Sequence, residues 1–363
     1  MKLSKWILAM LGVASAQVIF NPQSNAPSTD IIDLHRQLVE IELIAPNEAG
    51  VADYLYDLLK AKGYTVERQN ISKGRYNIYA YTGKSRDAKV LVTSHIDTVP
   101  PYIPYSRQGS KIFGRGSADA KASVAAQIVA VDQLGLDEDV ALLYVVGEEV
   151  DGVGMETANE LGCKWDVGIF GEPTELKLGV GHKGNYMFNL TAHGKASHSG
   201  YPELGRLAAE ILIPVLNKLM QIEYPKSDLL GPLTLNVGRF EGGVAANVIP
   251  ALATAECFIR VAADIEKIDK LVKLVVEGVD HLEFNLQATI PPVTLDYDVP
   301  GFDSIVLAYA TDVPRLRVPL KKRVLYGPGS IHVAHGDNEN VEESDLFDAV
   351  EGYKRLIAWG LEQ

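Results

Sequence analysis

Three short apolar runs constrain this chain more than any other feature: Lys89-Val90-Leu91-Val92-Thr93, Val140-Ala141-Leu142-Leu143-Tyr144-Val145-Val146 and Asp166-Val167-Gly168-Ile169-Phe170. None alternates with polar residues, so each reads as a strand buried on both faces of a mainly parallel sheet. Helical spacing lies around them, at Asp30 to Ile44, at Ala49 to Lys62 before Gly63, and at the alanine-rich Ala120 to Leu134. The alternation predicts an α/β fold, a mixed sheet flanked by helices.

From Gly184 the texture changes. Asn185 to Ala192 alternates as a half-buried strand, Gly205 to Ile222 is helical, and Leu233 to Arg239 and Ala251 to Val261 are strand-like. Ile265 to Val279 is helical and Leu282 to Thr289 a strand, a β-α-β-β-α-β order that predicts an inserted α+β ferredoxin-like domain. Pro291-Pro292 ends it, and Ser304 to Tyr309, Arg323 to Tyr326 and Asp345 to Trp359 rejoin the first domain. The expected division is 1–16, 17–183, 184–291 and 292–363.

The first segment reads as an export signal: Lys2 and Lys5, apolar Trp6 to Val13, then Ala14-Ser15-Ala16 as a cleavage site before Gln17. The apolar run is short of the ~20 residues that span a bilayer. Cleavage would move the formal charge from -13 to -15, since it removes two lysines and no acid. So acidic a chain is not expected to bind nucleic acid or an anionic membrane. Export would expose two N-x-[ST] sequons, at Asn70 and Asn189, to glycosylation. Cys163 and Cys257 permit one disulfide without requiring it.

Chemistry collects where the apolar runs end. Ligand sites of open α/β sheets lie beyond the carboxyl ends of the strands. There the chain places Ser94-His95-Ile96-Asp97, Gly147-Glu148-Glu149 and Gly171-Glu172-Pro173-Thr174, with Asp119 at the mouth of the next helix and His335 after Gly327-Pro328-Gly329-Ser330. Imidazole and carboxylate together suit zinc and related metals, and converging carboxylates without a cation would repel. Two ions about 3.5–4 Å apart can activate water and polarise a carbonyl together. Singly, Asp119 would pass for a helix cap, Glu148-Glu149 for a solvated loop and either histidine for a structural one. His182, His193 and His332 keep that structural reading.

These blocks, in this order, resemble metallopeptidase family twenty (M20), which includes carboxypeptidases, acetylornithine deacetylase, succinyl-diaminopimelate desuccinylase and aminoacylase. The resemblance spans nearly the whole mature chain and implies a zinc-peptidase-like catalytic domain, with the insertion as a lid and dimerisation domain. It implies two zinc ions per subunit, replaceable by cobalt: one held by His95, Asp119 and Glu172, the other by Asp119, Glu149 and His335, with Asp119 bridging. Asp97 would orient the His95 ring and Glu148 would act as general base and acid. In the lid, His198 would steady the oxyanion, in dimeric members from the partner subunit, a contact worth ~3 kcal/mol of barrier. Asn247 and Arg260 would bind substrate, with Gly329 and Ser330 helping to hold its carboxylate.

The Gly327-Pro328-Gly329-Ser330-Ile331 block is closest to the acetylornithine deacetylase branch, but Gly336-Asp337-Asn338-Glu339-Asn340 departs from it. That departure bears on substrate specificity and not on His335. Export argues against biosynthetic deacetylation, and the export signal and sequons fit a similar group of exported fungal proteins in the family, described as probable carboxypeptidases. The expectation is a secreted carboxypeptidase acting on peptides. The alternatives are an N-acyl-amino-acid deacylase and a retired metal- or peptide-binding protein; the presence of Glu148 and all five ligands speaks against the latter.

Overall fold

The computed structural model describes residues 30–43, 46–135 and 139–363. The export signal expected at 1–16 lies outside the described residues. The central sheet has the order β1 (Thr65–Ser72), β2 (Arg75–Tyr81), β6 (Val140–Val145), β3 (Val90–His95), β7 (Val167–Gly171), β17 (Lys322–Tyr326). The last four run parallel, while β1 and β2 form an antiparallel hairpin that adds to β6. Every residue of β3, β6 and β7 is buried, which explains their unbroken apolar runs.

Successive residues serve opposite faces of the sheet. Val90 and Val92 pack towards α1 (Ile31–Glu40), α2 (Ala49–Ala61), α3 (Lys121–Leu134) and α7 (Glu343–Leu361). Leu91, Leu143 and Leu325 pack on the other face with Met155 of α4 (Val153–Ala158). Asp30 caps α1 by accepting the amide of Ile32 at 2.9 Å, and Gly135, at φ 59°, ends α3.

The second sheet orders β11 (Thr234–Gly242), β13 (Leu252–Val261), β9 (Gly184–His193), β14 (Leu282–Ile290), all antiparallel. With α5 (Ala208–Met220) and α6 (Ile265–Val276) it has the ferredoxin-like β-α-β-β-α-β order. Tyr186, Phe188 and Leu190 of β9 pack on the helices with Leu212 and Val272. The odd-numbered residues of β9 lie on the open face.

Smaller ribbons complete the frame. β15 (Val293–Thr294) and β16 (Ser304–Leu307) flank β8 (Leu178–His182), and β10 (Ser197–His198) pairs with β12 (Val248–Ile249). β18 (Asn340–Glu342) pairs with β5 (Lys111–Phe113), itself paired with β4 (Ser106–Gln108). Asn340 stands opposite Phe113, which sets Glu339 beside the turn that begins at Gly114. Cys163 and Cys257 are buried free thiols, in the main and inserted cores respectively.

Two buried histidines make stability sensitive to acid. His35 Nε2 lies 2.9 Å from Ser117 O, and His182 bridges Lys183 O at 3.0 Å and Thr311 Oγ1 at 3.1 Å. Burial lowers both from 6.5 to about 4. The folded state thus binds fewer protons than the unfolded chain in this window, so the contribution is whole above pH 6.5 and lost as pH falls towards 4. Each is worth roughly 3 kcal/mol. Urea unfolding of the His35→Asn variant at neutral and at acid pH should show a drop smaller than the wild-type drop by roughly 2–3 kcal/mol.

Candidate metal centre

Five segments of the chain meet at one rim. His95 closes β3, Glu148 and Glu149 follow β6, Glu172 follows β7, Asp119 precedes α3, and His335 lies between β17 and β18. Gly147, at φ 78°, makes the turn out of β6, and a Cβ there would lie 2.6 Å from Arg75 Nη2. Arg75 is itself held by the buried carboxylate of Glu48 at 2.8 Å, so the hairpin braces the Glu148–Glu149 turn.

Asp119 is the hub. Its Oδ1 lies 3.1 Å from His95 Nε2 and its Oδ2 3.2 Å from His335 Nε2. His335 Nε2 also lies 3.1 Å from Glu149 Oε2, and His95 Nε2 3.9 Å from Glu172 Oε2. The five residues singled out in the sequence therefore fall into two three-membered sets that share one carboxylate. Ligand atoms of His95, Asp119 and Glu149 all lie within 4.8 Å of one another.

The donor set fits divalent cations. His95 Nδ1 lies 3.0 Å from Asp97 O, so a ring donating there points its other nitrogen at Asp119 and Glu172. That lone pair would confront carboxylate oxygens unless a proton or a cation lay between. Burial opposes a charge on His95, yet Asp119 and Asp97 hold its pKa well above the ordinary value. Hydrogen bonds to Asp119 and Glu149 push His335 up to about 10. Against the pull of burial, His335 and His95 keep Asp119 below the usual carboxylate range. Burial raises Glu149, with Asp119 adding to it, and raises Glu172 against the influence of His95. Imidazoles driven to hold protons beside acids driven to take them up are the donors that cations relieve.

Asp97 differs from expectation. Its carboxylate lies 3.6 Å from His95 Nδ1, beyond a hydrogen bond, and the ring is oriented by the Asp97 carbonyl instead. The carboxylate oxygens accept the amides of Glu148 and Glu149, each at 3.1 Å.

Two positioning groups were not singled out from the sequence. Glu339 Oε1 accepts the amides of Ala118 and Asp119, each at 3.1 Å, and its Oε2 accepts Arg115 Nη1 at 2.7 Å. Arg115 donates onward to Gly336 O at 3.3 Å and His335 O at 3.4 Å. This buried pair ties the Asp119 turn to the His335 loop, where His335 adopts a left-handed φ of 63°. The only sequence signal was an acid four residues after His335, inside the stretch that departs from the branch pattern.

Comparison with known proteins is decisive. The chain is 52% identical over 357 residues to a Peptidase M20 domain-containing protein of Schizosaccharomyces pombe, covering 96% of this chain and 89% of that one. The chain belongs to the M20 peptidase family. Residues 180–285 match the M20 peptidase dimerisation domain. A probable carboxypeptidase of Aspergillus flavus is 44% identical over 92% of this chain and 91% of its own. Among solved structures, an M20 family metallo-carboxypeptidase from Sulfolobus solfataricus superposes with TM-score 0.76 at 18% identity, covering 92% of this chain and 100% of that one. A tripeptidase from Staphylococcus aureus superposes at 0.79 and 20% identity, covering 92% and 98%. The two structures share the M20 fold with this chain.

The residues of the inserted domain expected to bind substrate make no hydrogen bond to the cluster among the described residues. His198 pairs with Val248, and Asn247 O accepts the Ser199 amide at 3.0 Å, so these two expected substrate residues are neighbours on the exposed β10–β12 ribbon. Neither hydrogen-bonds to the His95–His335 cluster among the described residues. Arg260 donates to Asn185 at 2.9 Å and stacks 4.4 Å from the Phe258 ring, on the open face of the lid sheet. Gly329, at φ 76°, packs against Ala118. The Ser330 hydroxyl already donates to Glu175 at 2.9 Å, so it is not free for a substrate carboxylate as expected. Asn70 is exposed, whereas Asn189 is half-buried in an inner strand paired on both sides.

Proposed function

We propose that this M20 peptidase is an exported two-zinc carboxypeptidase that releases the C-terminal amino acid of peptides. The observation that carries it is the placement of the two Asp119 oxygens, each against a different imidazole, with a further carboxylate on either side. When bound there, a pair of zinc ions supplies acidified water and a polarised scissile carbonyl. The names of the Aspergillus relatives support the choice of peptides as substrate.

Glu148 then accepts the proton of the attacking water on its carboxylate and delivers it to the departing amine. In the metal-free protein, burial, Asp312 and Glu172 raise its pKa well above the ordinary value. Asp97 fixes the turn that aims it. On the same reading the lid pairs two copies, His198 serves the partner's site, and Arg260 clamps the substrate carboxylate in a planar fork.

Enzyme stripped with a chelator should lose essentially all turnover of a blocked dipeptide and regain it with zinc or cobalt. Retained activity in the stripped enzyme would sink the proposal. Faster turnover of N-acetyl amino acids than of blocked dipeptides would assign it to deacylation instead. Export predicts that protein recovered from culture medium begins at Gln17; an N-terminal sequence starting at Met1 would overturn it.

A further inference from the structure

Beside Glu148 is a cavity of about 10 Å³, lined by Thr93, His95, Glu148, Glu172, Thr311 and Asp312 among others. Asp312 is 5% exposed and Thr93 fully buried. Neither Asp312 oxygen, nor Thr93 Oγ1, has a hydrogen-bond partner among the described residues. Leaving such groups unpaired costs about 1–3 kcal/mol each, more for a charge. Arg315 forms a long ion pair with Asp312 Oδ1, at 3.6 Å and beyond hydrogen-bond reach, and is also engaged by Glu156 at 2.6 Å. Thr311 cannot compensate, because its hydroxyl already meets His182 at 3.1 Å and the Val313 amide at 3.2 Å.

A space of this size holds one water, which needs two to four polar partners. The lining meets that need. A water here would accept one hydrogen bond from the Thr93 hydroxyl and donate two, one to Asp312 and one to Glu148. Glu148, Glu172 and Asp312 all line this small cavity, and carboxylates facing one another across it would otherwise repel.

We propose that Asp312 is a positioning residue that holds the Glu148 carboxyl through a single water bound at Thr93. The inference rests on the reading of Glu148 as the base. Arg315 and Glu156 extend the chain outward to α4, so that the base is fixed from the sheet on one side and from a helix on the other.

Kinetics, zinc content and crystallography of the zinc-loaded protein test it, with a blocked dipeptide as substrate. Asp312→Asn and Thr93→Val should each lower kcat about tenfold, the lower range for groups that orient a reacting residue. KM, zinc content and thermal midpoint should change little. Thr93→Ser, which keeps the hydroxyl, should restore kcat. One density peak within hydrogen-bond distance of Thr93, Asp312 and Glu148 is expected in the wild-type crystal, and it reads the site even if a variant fails to fold. Unchanged kcat in both variants, kcat loss only in step with zinc loss, or an empty cavity at high resolution would overturn it. Glu148→Gln run alongside separates the two readings: full activity there removes the base itself, whereas an inactive Glu148→Gln beside a normal Asp312→Asn removes only the water-mediated hold.

Discussion

Glu148→Gln should cut turnover by ~10²–10⁴-fold, the range for loss of a general acid–base group, while zinc content and fold persist. The amide has the shape of the acid but can neither take a proton from water nor return one to the amine. Glu148 lies next to Glu149 yet is separate from the two sets that share Asp119, so cation binding should survive its loss. The backbone is untouched too, since Asp97 holds the turn through the Glu148 amide rather than the side chain. Steady-state rates with metal analysis on the same preparation decide the matter. A rate within twofold of wild type would take Glu148 out of the mechanism.

Glu339→Ala should be the most damaging change outside the cluster. It leaves the Arg115 guanidinium buried without its carboxylate, and leaves the amides of Ala118 and Asp119 without an acceptor. Both side chains of the pair are 1% exposed, so solvent cannot compensate. Breaking such a buried pair costs about 3–5 kcal/mol. Beyond stability, Asp119 loses the bond that sets its backbone, so zinc affinity should fall about 10–100-fold. Replacing both members, as Arg115→Met with Glu339→Leu, should recover much of the stability but not the zinc affinity. Denaturant unfolding and zinc titration separate the two effects, and recovery of both would contradict a positioning role.

What could be read from residues alone follows from how they are buried. β3, β6 and β7 were legible because strands covered on both faces have no reason to alternate, and their ends carried His95, Glu149 and Glu172. The β1–β2 hairpin was missed because Thr65–Ser72 is an edge strand with mixed exposure and charged residues. The inserted domain was legible from alternation: one face of β9 is buried and the other open. Asp97, Glu339 and Asp312 were harder. Their work is done on backbone amides and in a cavity, and that depends on which loops meet in space rather than on local spacing. Ser330 shows the converse, since a hydroxyl in a suggestive glycine-rich turn proves to be spent on Glu175.

The lid interrupts the chain between Glu172 and His335, and Glu339 follows later still. A ribosome therefore delivers four of the five candidate metal ligands and Glu148 well before the remaining imidazole and the acid that fixes Asp119. Until that last stretch emerges, Asp119 has only one ring to face, and the cluster lacks its second imidazole. On the two-metal reading, a polypeptide terminated before His335 would lack one of the two rings that face Asp119.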